Sequence, residues 1–297
     1  MLLNNNASLL KELLLKADTL GCIVSNNRFP VLLRPLAERR KVTSVEFCPL
    51  LVDAMITTHT QGFRIIFNSG DSDASELRIK YENENENQIM PSRLRFSLAH
   101  EIAHTFFYNL SDEPPQLLKS FRAGGKKTAL EVLERNCNRI AAHLLLPTPL
   151  LKAKISNMKP INPESLINLA SSAGVSIETL VRRIGDAGAL LESPYFCGCI
   201  VLVKQTGANL TISAIAKPAR INIARELRMM RPGENWQLKT QQGIDVGLDD
   251  STPIKRLPLT VETPQSSVVK PYVMAVKQLN GFGSAKSFLL SFEQASI

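Results

Sequence analysis

The stretch Arg95-Phe96-Ser97-Leu98-Ala99-His100-Glu101-Ile102-Ala103-His104-Thr105-Phe106-Phe107 decides how the rest of the chain is read, because it holds one H-E-x-x-H. On a helix, residues four apart lie about one turn apart on one face, so His100 and His104 can bring two imidazole nitrogens to a single metal ion. Glu101 then lies beside that face, where its carboxylate can take a proton from a water held by the ion. The chain has 4 His in 297 residues, so composition alone would produce the pattern in about one such chain in 300. Phe96, Leu98, Ala99, Ile102, Ala103 and Phe106 add helical apolar spacing around the histidines. The competing reading is a core helix that happens to carry two histidines, and buried imidazoles cost desolvation unless bonded or ligated.

A catalytic zinc site takes three protein ligands and keeps an open position. The downstream candidates are Asp112, Glu113, Glu131, Glu134 and His143. Asp112 and Glu113 follow His104 closely, beside Pro114-Pro115, and would have to fold straight back on the site. Thr128-Ala129-Leu130-Glu131 fits a capping box, which gives Glu131 a structural task. Glu134 shares a helical stripe with Cys137, Asn138, Ala141 and Leu145. His143 falls about 180° away from Glu134 at ~100° per residue, so the two cannot serve one site. His100, His104 and Glu134 are therefore the expected ligands of one Zn2+ per chain, with Glu101 as the base. Asn138 is a candidate hydrogen-bond partner for a ligating histidine. Tyr108 and Tyr195 are candidates for steadying the transition state, on residue type alone.

Composition sets the surroundings. A chain of 297 residues with 44% hydrophobic and 21% charged residues is long enough for one large or two ordinary globular domains. Net charge of +8 allows a nucleic-acid partner without demanding one. The five cysteines, Cys22, Cys48, Cys137, Cys197 and Cys199, include no C-x-x-C and read as reduced thiols. The leucines after Met1 are broken by Lys11, Glu12, Lys16 and Asp18, so no secretory signal is expected. No run approaches the ~20 apolar residues of a membrane span, and a cytoplasmic protein is expected.

In chain order, an amphipathic helix is expected from Ser8 to Leu20, stopped by Gly21. Glu38-Arg39-Arg40-Lys41 reads as a solvated basic surface. Val42–Phe47, Ala54–Thr58 and Phe63–Asn68 read as strands of a small sheet, and Leu77–Tyr81 as a further short strand. The alternating run Glu82-Asn83-Glu84-Asn85-Glu86-Asn87 reads as a solvated loop. The H-E-x-x-H helix should open at Pro91-Ser92 and run to the prolines at 114 and 115. A second helix should run from Thr128 to Leu146, where Pro147 stops it.

The segment Arg95 to His104, followed by Glu134-Arg135-Asn136-Cys137-Asn138-Arg139-Ile140-Ala141-Ala142-His143-Leu144-Leu145-Leu146-Pro147, resembles the ImmA/IrrE metallopeptidase family. That family pairs an R-F-[ST]-x-A-H-E-[IL]-[GA]-H helix with one of the type E-x-x-[AC]-N-x-[FI]-A-A-x-L-L-x-P. The resemblance implies the same ligands, His100, His104 and Glu134, and the same base, Glu101. The departures are Cys137 where alanine is usual, Ile140 for phenylalanine, and His143 where an acidic residue is common. Cys137, one turn from Glu134, reads either as a residue that perturbs the site or as a small packed residue, and packing is the favoured reading.

Leu169-Ala170-Ser171-Ser172-Ala173-Gly174-Val175-Ser176-Ile177-Glu178-Thr179-Leu180 matches a helix-turn-helix pattern. It reads either as a DNA-contacting pair, through Arg182 and Arg183, or as helices packed on the catalytic unit, which the resemblance implies. After Tyr195 the chain turns to strands, at Phe196–Lys204, Asn209–Ala216, Trp236–Thr240, Leu259–Glu262, Pro271–Gln278 and Ser287–Phe292, with a helix near residues 224–230. The resulting expectation is an α+β protein with three parts. Residues 1–158 form a zincin-like metallopeptidase domain, residues 159–194 a helix-turn-helix-like segment, and residues 195–297 an α+β domain. For the last of these the resemblance implies a GAF-like sensory role.

The resemblance further implies the function: a site-specific zinc endopeptidase that cuts a regulatory protein, typically a helix-turn-helix repressor of a mobile element or a stress response. The alternatives are a DNA-binding regulator and an antitoxin-like interaction protein, each with a metal site that does not cleave.

Overall fold

The computed structural model describes residues 2–70, 72–85, 87–118, 127–192, 198–206, 209–216, 222–223, 235–236, 255–263, 266–279 and 286–294. The chain is α+β and divides into two units, Met1–Leu150 with Ser171–Ser176, and Leu151–Ala170 with Ile177–Ile297.

The first unit opens with helix α1 (Leu2–Ser25), which runs through the expected stop at Gly21. A Cβ at Gly21 would lie 2.6 Å from the Leu144 carbonyl oxygen and 2.6 Å from Pro147 Cγ, so this glycine serves close approach rather than termination. Helix α2 (Leu33–Arg39) leads to a three-stranded sheet of β1 (Val42–Cys48), β2 (Ala54–His59) and β3 (Gly62–Asn68), ordered β1-β3-β2. Phe63, Ile65 and Phe67 alternate onto the buried face of β3, the period-2 signal visible in the sequence.

Helix α3 (Ala74–Glu82) replaces the strand expected at Leu77–Tyr81. Asp73 caps it by accepting from the Ser75 amide at 2.8 Å, and Leu77 and Tyr81 are buried one turn apart. Helix α4 (Ser92–His104) carries the H-E-x-x-H and stops well short of the prolines at 114 and 115. It passes into a 3-10 turn at Thr105–Phe107 and a short ribbon of β4 (Tyr108–Asn109) and β5 (Gln116–Leu117). Helix α5 (Lys127–Leu145) packs against both α4 and α1. It already includes Lys127, so Thr128 lies inside the first turn rather than capping it.

Two buried polar clusters correct the reading of the sequence. Arg95 is fully buried and donates to the Gly174 carbonyl at 3.0 Å, to the Val31 carbonyl at 2.6 Å, and to the Glu84 carboxylate. The side chain of Glu84 is 1% exposed. The run Glu82 to Asn87 is therefore not simply a solvated loop, because a buried guanidinium demands a carboxylate and Glu84 supplies it. Gly174 has φ of +64°, and a Cβ there would stand 2.6 Å from Arg95 Nε. The second cluster is built on Asp18 in α1. Its carboxylate accepts from the Thr148 amide at 2.8 Å and the Thr148 hydroxyl at 2.6 Å, and faces His143 Nδ1 at 3.0 Å. Asp18 thus caps helix α6 (Thr148–Ser156) from a distant part of the chain.

Helix α7 (Pro163–Ala173) begins in the second unit, the turn at Gly174 belongs to the first, and α8 (Ile177–Ala187) lies in the second. Strands β6 (Gly198–Thr206), β7 (Asn209–Ala216), β8 (Asn222–Ile223), β9 (Asn235–Trp236), β10 (Lys255–Thr263), β11 (Ser266–Leu279) and β12 (Lys286–Gln294) form one antiparallel sheet, ordered β8-β10-β11-β12-β6-β7-β9. The C-terminal strand β12 lies between β11 and β6, joining the first hairpin of the unit to its last. Helix α8 packs on β6 and β7. The helix expected near residues 224–230 and the strand positions 237–240 lie outside the described residues, as does Tyr195. Among the described residues, no helix is long and apolar enough to cross a membrane. Cys22, Cys48 and Cys137 are free thiols.

Burial raises the Asp18 pKa, but the hydrogen bonds from His143 and Thr148 outweigh it and hold the carboxyl below its ordinary value of 3.8. A carboxyl whose pKa falls on folding adds stability above its unfolded value and loses it as pH drops through the folded one. Asp18→Ala is expected to lower the unfolding free energy by about 2–3 kcal/mol at neutral pH, measured by urea denaturation. The difference from wild type should shrink as pH falls below 3.8.

Candidate metal centre

Helix α4 fixes the first half of the site. Leu98, Ala99, Ile102 and Ala103 are fully buried, which turns the intervening His100 and His104 toward α5. The two rings meet edge to face with centroids 4.9 Å apart. On α5, Cys137, Ile140, Ala141 and Leu144 are fully buried, and Glu134 and Asn138 sit on the neighbouring stripe at helical spacing.

The two helices bring three donors together. His100 Nε2 lies 3.2 Å from His104 Nε2 and 3.0 Å from Glu134 Oε2. His104 Nε2 lies 3.6 Å from Glu134 Oε1. Four tetrahedral bonds to zinc of about 2.05 Å set neighbouring donors about 3.3 Å apart, so these three spacings bracket what the ion requires. The donor set of two imidazoles and one carboxylate also has the chemistry of a catalytic zinc site.

A second trio, His100, His104 and Cys137, also places one donor atom each within 4.8 Å of the others. The two trios differ in which side of His104 they use. Cys137 Sγ lies 3.4 Å from His104 Nδ1, behind the ring, whereas Glu134 and His100 face Nε2. The Nε2 side is therefore where three donors converge. On the other imidazole, Asn138 Oδ1 lies 2.9 Å from His100 Nδ1. The contact between Cys137 and His104 is the feature that the sequence reading missed. Its only signal was the three-residue spacing from Glu134, which packing explains equally well.

The electrostatics suit ligation. Burial and then the neighbouring His100 push the His104 pKa down to about 4, so its imidazole is neutral and free to coordinate. Burial, reinforced by the negative charge of Glu134, pushes Glu101 up to about 7. Burial likewise raises the Cys137 thiol, keeping it protonated. Tyr108 is half-buried with its ring edge-on to Phe63, centroids 5.2 Å apart.

The end of α4 is held by a residue that the sequence assigned to a solvated surface. Arg40 Nη2 donates to the Thr105 carbonyl at 2.8 Å and Nε to the Thr105 hydroxyl at 2.9 Å. Its guanidinium lies 4.2 Å from the centroid of the Phe106 ring. Burial lowers its pKa to about 10, which still leaves it charged at neutral pH.

Residues 64–185 match the family model of the IrrE N-terminal-like domain, a span that includes His100, Glu101, His104 and Glu134. Over those residues the chain is similar to the ImmA/IrrE family of metallopeptidase domains. A relative, the radiation response metalloprotease IrrE of Deinococcus deserti, is 30% identical over 102 residues. That match covers 34% of this chain and 35% of the relative, so the chain spans well under half of that protein's length. A solved transcriptional regulator of Mycobacterium tuberculosis is similar with a TM-score of 0.49 at 16% identity, over 95% of this chain and 75% of that one.

Arg40→Ala removes both hydrogen bonds to Thr105 and the stacking on Phe106. It is expected to cost about 1–3 kcal/mol of stability, measured by urea denaturation. Arg40→Lys should recover only part of the loss, because an ammonium cannot reproduce the guanidinium fork.

Proposed function

We propose that this chain is a zinc-dependent endopeptidase making a site-specific cut in a regulatory protein, most simply a helix-turn-helix repressor, to relieve repression. The observation that carries the reading is the convergence of His100 Nε2, His104 Nε2 and Glu134 at 3.0–3.6 Å of one another, with the buried carboxyl of Glu101 on the same helix. His100, His104 and Glu134 are the ligands in this reading, one ion per chain. Residues 1–158 act as the catalytic domain, residues 159–194 as the helix-turn-helix-like segment and residues 195–297 as a GAF-like sensory domain, working in the cytoplasm.

When bound there, zinc supplies Lewis acidity, lowering the pKa of a water and polarising a peptide carbonyl. The residues do the rest. Asn138 Oδ1 accepts from His100 Nδ1–H, which leaves the Nε2 lone pair facing the donors. Glu101 accepts a proton from the attacking water at its carboxylate oxygen and hands it to the departing amine nitrogen. Tyr108 and Tyr195 keep the proposed role of steadying the transition state.

A DNA-contacting role for α8 has less support. Arg182 is spent on Glu178 at 2.9 Å and on the Ser213 carbonyl at 2.5 Å, and Arg183 is 1% exposed. Arg182 is thus engaged within its own unit and Arg183 is buried, leaving little positive surface for phosphates.

The test is cleavage of helix-turn-helix repressors from the same cell, taken first from the neighbouring genes. Glu101→Gln should retain one zinc per chain while cleavage falls about 100- to 10,000-fold. Glu134→Ala should lose zinc as well as cleavage. Wild-type cleavage by Glu101→Gln would overturn the protease reading, and a salt-sensitive shift of duplex DNA lost in Arg182→Ala would favour the regulator instead.

A further inference from the structure

We propose that Cys137 is a positioning residue for the metal centre, accepting the Nδ1–H of His104 so that Nε2 of that ring presents its lone pair to the ion. This rests on the reading of His100, His104 and Glu134 as the ligands. A neutral imidazole carries one proton, and ligation through Nε2 places that proton on Nδ1. A buried N–H without an acceptor is costly, because it has lost its hydrogen bond to water and gained none in return. The atom at His104 Nδ1 is Cys137 Sγ, at 3.4 Å, on a side chain that is fully buried. Sulfur is a weak acceptor, but here it meets the one donor that must be satisfied for the ring to face the site.

The helix explains why the arrangement is economical. Glu134, Cys137 and Asn138 occupy positions i, i+3 and i+4 of α5, so a single turn faces α4 with all three. Glu134 reaches the Nε2 side of both histidines, Asn138 stands behind His100, and Cys137 stands behind His104. Each imidazole is thereby oriented from its outer nitrogen, the form of support that fixes the tautomer of ligating histidines. Alanine at 137, the residue usual in the resembling pattern, lacks the sulfur and would leave that proton to another acceptor. This chain has built the support in.

The experiment compares wild type, Cys137→Ala and Cys137→Ser, each loaded with zinc. Zinc affinity is read by chelator competition, and the His104 ring nitrogens by NMR. Cys137→Ala is expected to bind zinc about 10-fold or more weakly. Cys137→Ser, whose hydroxyl also accepts a hydrogen bond, should stay within a few-fold of wild type and keep the Nδ1-protonated signal. Melting of the zinc-free proteins controls for a general loss of folding. Equal affinity in wild type and Cys137→Ala would overturn the proposal and leave Cys137 as packing. A sulfur-to-metal charge-transfer band in the cobalt-loaded wild type, absent from Cys137→Ser, would overturn it by making Cys137 a ligand. A wild-type chain that takes up no zinc would overturn the ligand reading itself and this proposal with it, a result distinct from the other two.

Discussion

The contact between α4 and α5 is the constraint on which the candidate site depends. Neither helix holds enough donors alone, since α4 brings His100 and His104 and α5 brings Glu134. Their approach is set by small and fully buried side chains beside the donors, Ala99 and Ala103 on α4 and Cys137 and Ala141 on α5. Close packing there is what makes spacings of 3.0–3.6 Å between the donors attainable. Larger residues would push the helices apart and open the site before they touched its chemistry.

The position of α4 is secured near both ends by guanidinium groups. Arg95 hydrogen-bonds the Val31 and Gly174 carbonyls near the start of the helix, and Arg40 hydrogen-bonds the Thr105 carbonyl just past its end. Arginine suits this work because its fixed fork of donors reaches several acceptors at once. On α5, the Asp18 cluster ties the region around His143 to α1 and to the start of α6. The site is thus framed by buried polar contacts of long sequence separation, and its geometry is inherited from them.

That framing explains what was legible in the sequence. The helix carrying His100, Glu101 and His104 was readable from its spacing, and helical angles on the next helix put Glu134 on the stripe that now lies 3.0 Å from His100. The strands at Val42, Ala54 and Phe63 were readable from alternation. Arg40, Arg95 and Glu84 were not, because local composition marks a charge as solvated and only the partner, 11 to 79 residues away, makes burial affordable. Leu77–Tyr81 was misread as a strand because so short a segment carries little period, and the Asp73 cap was the better signal. Gly21 was misread because a glycine that ends a helix and one that lets two chains touch look alike in sequence. The arginines of α8 likewise looked available for DNA until the structure showed their use on Glu178 and Ser213 and in the interior.

In the proposed centre two imidazoles and the Glu134 carboxylate hold the ion, with the Cys137 sulfur behind His104 and outside the coordination shell. X-ray absorption at the zinc edge of the metal-loaded protein tests it most directly. The expected result is a shell of nitrogen and oxygen only, at about 2.0–2.2 Å, with the outer scattering of two imidazole rings. A sulfur at about 2.3 Å would contradict it.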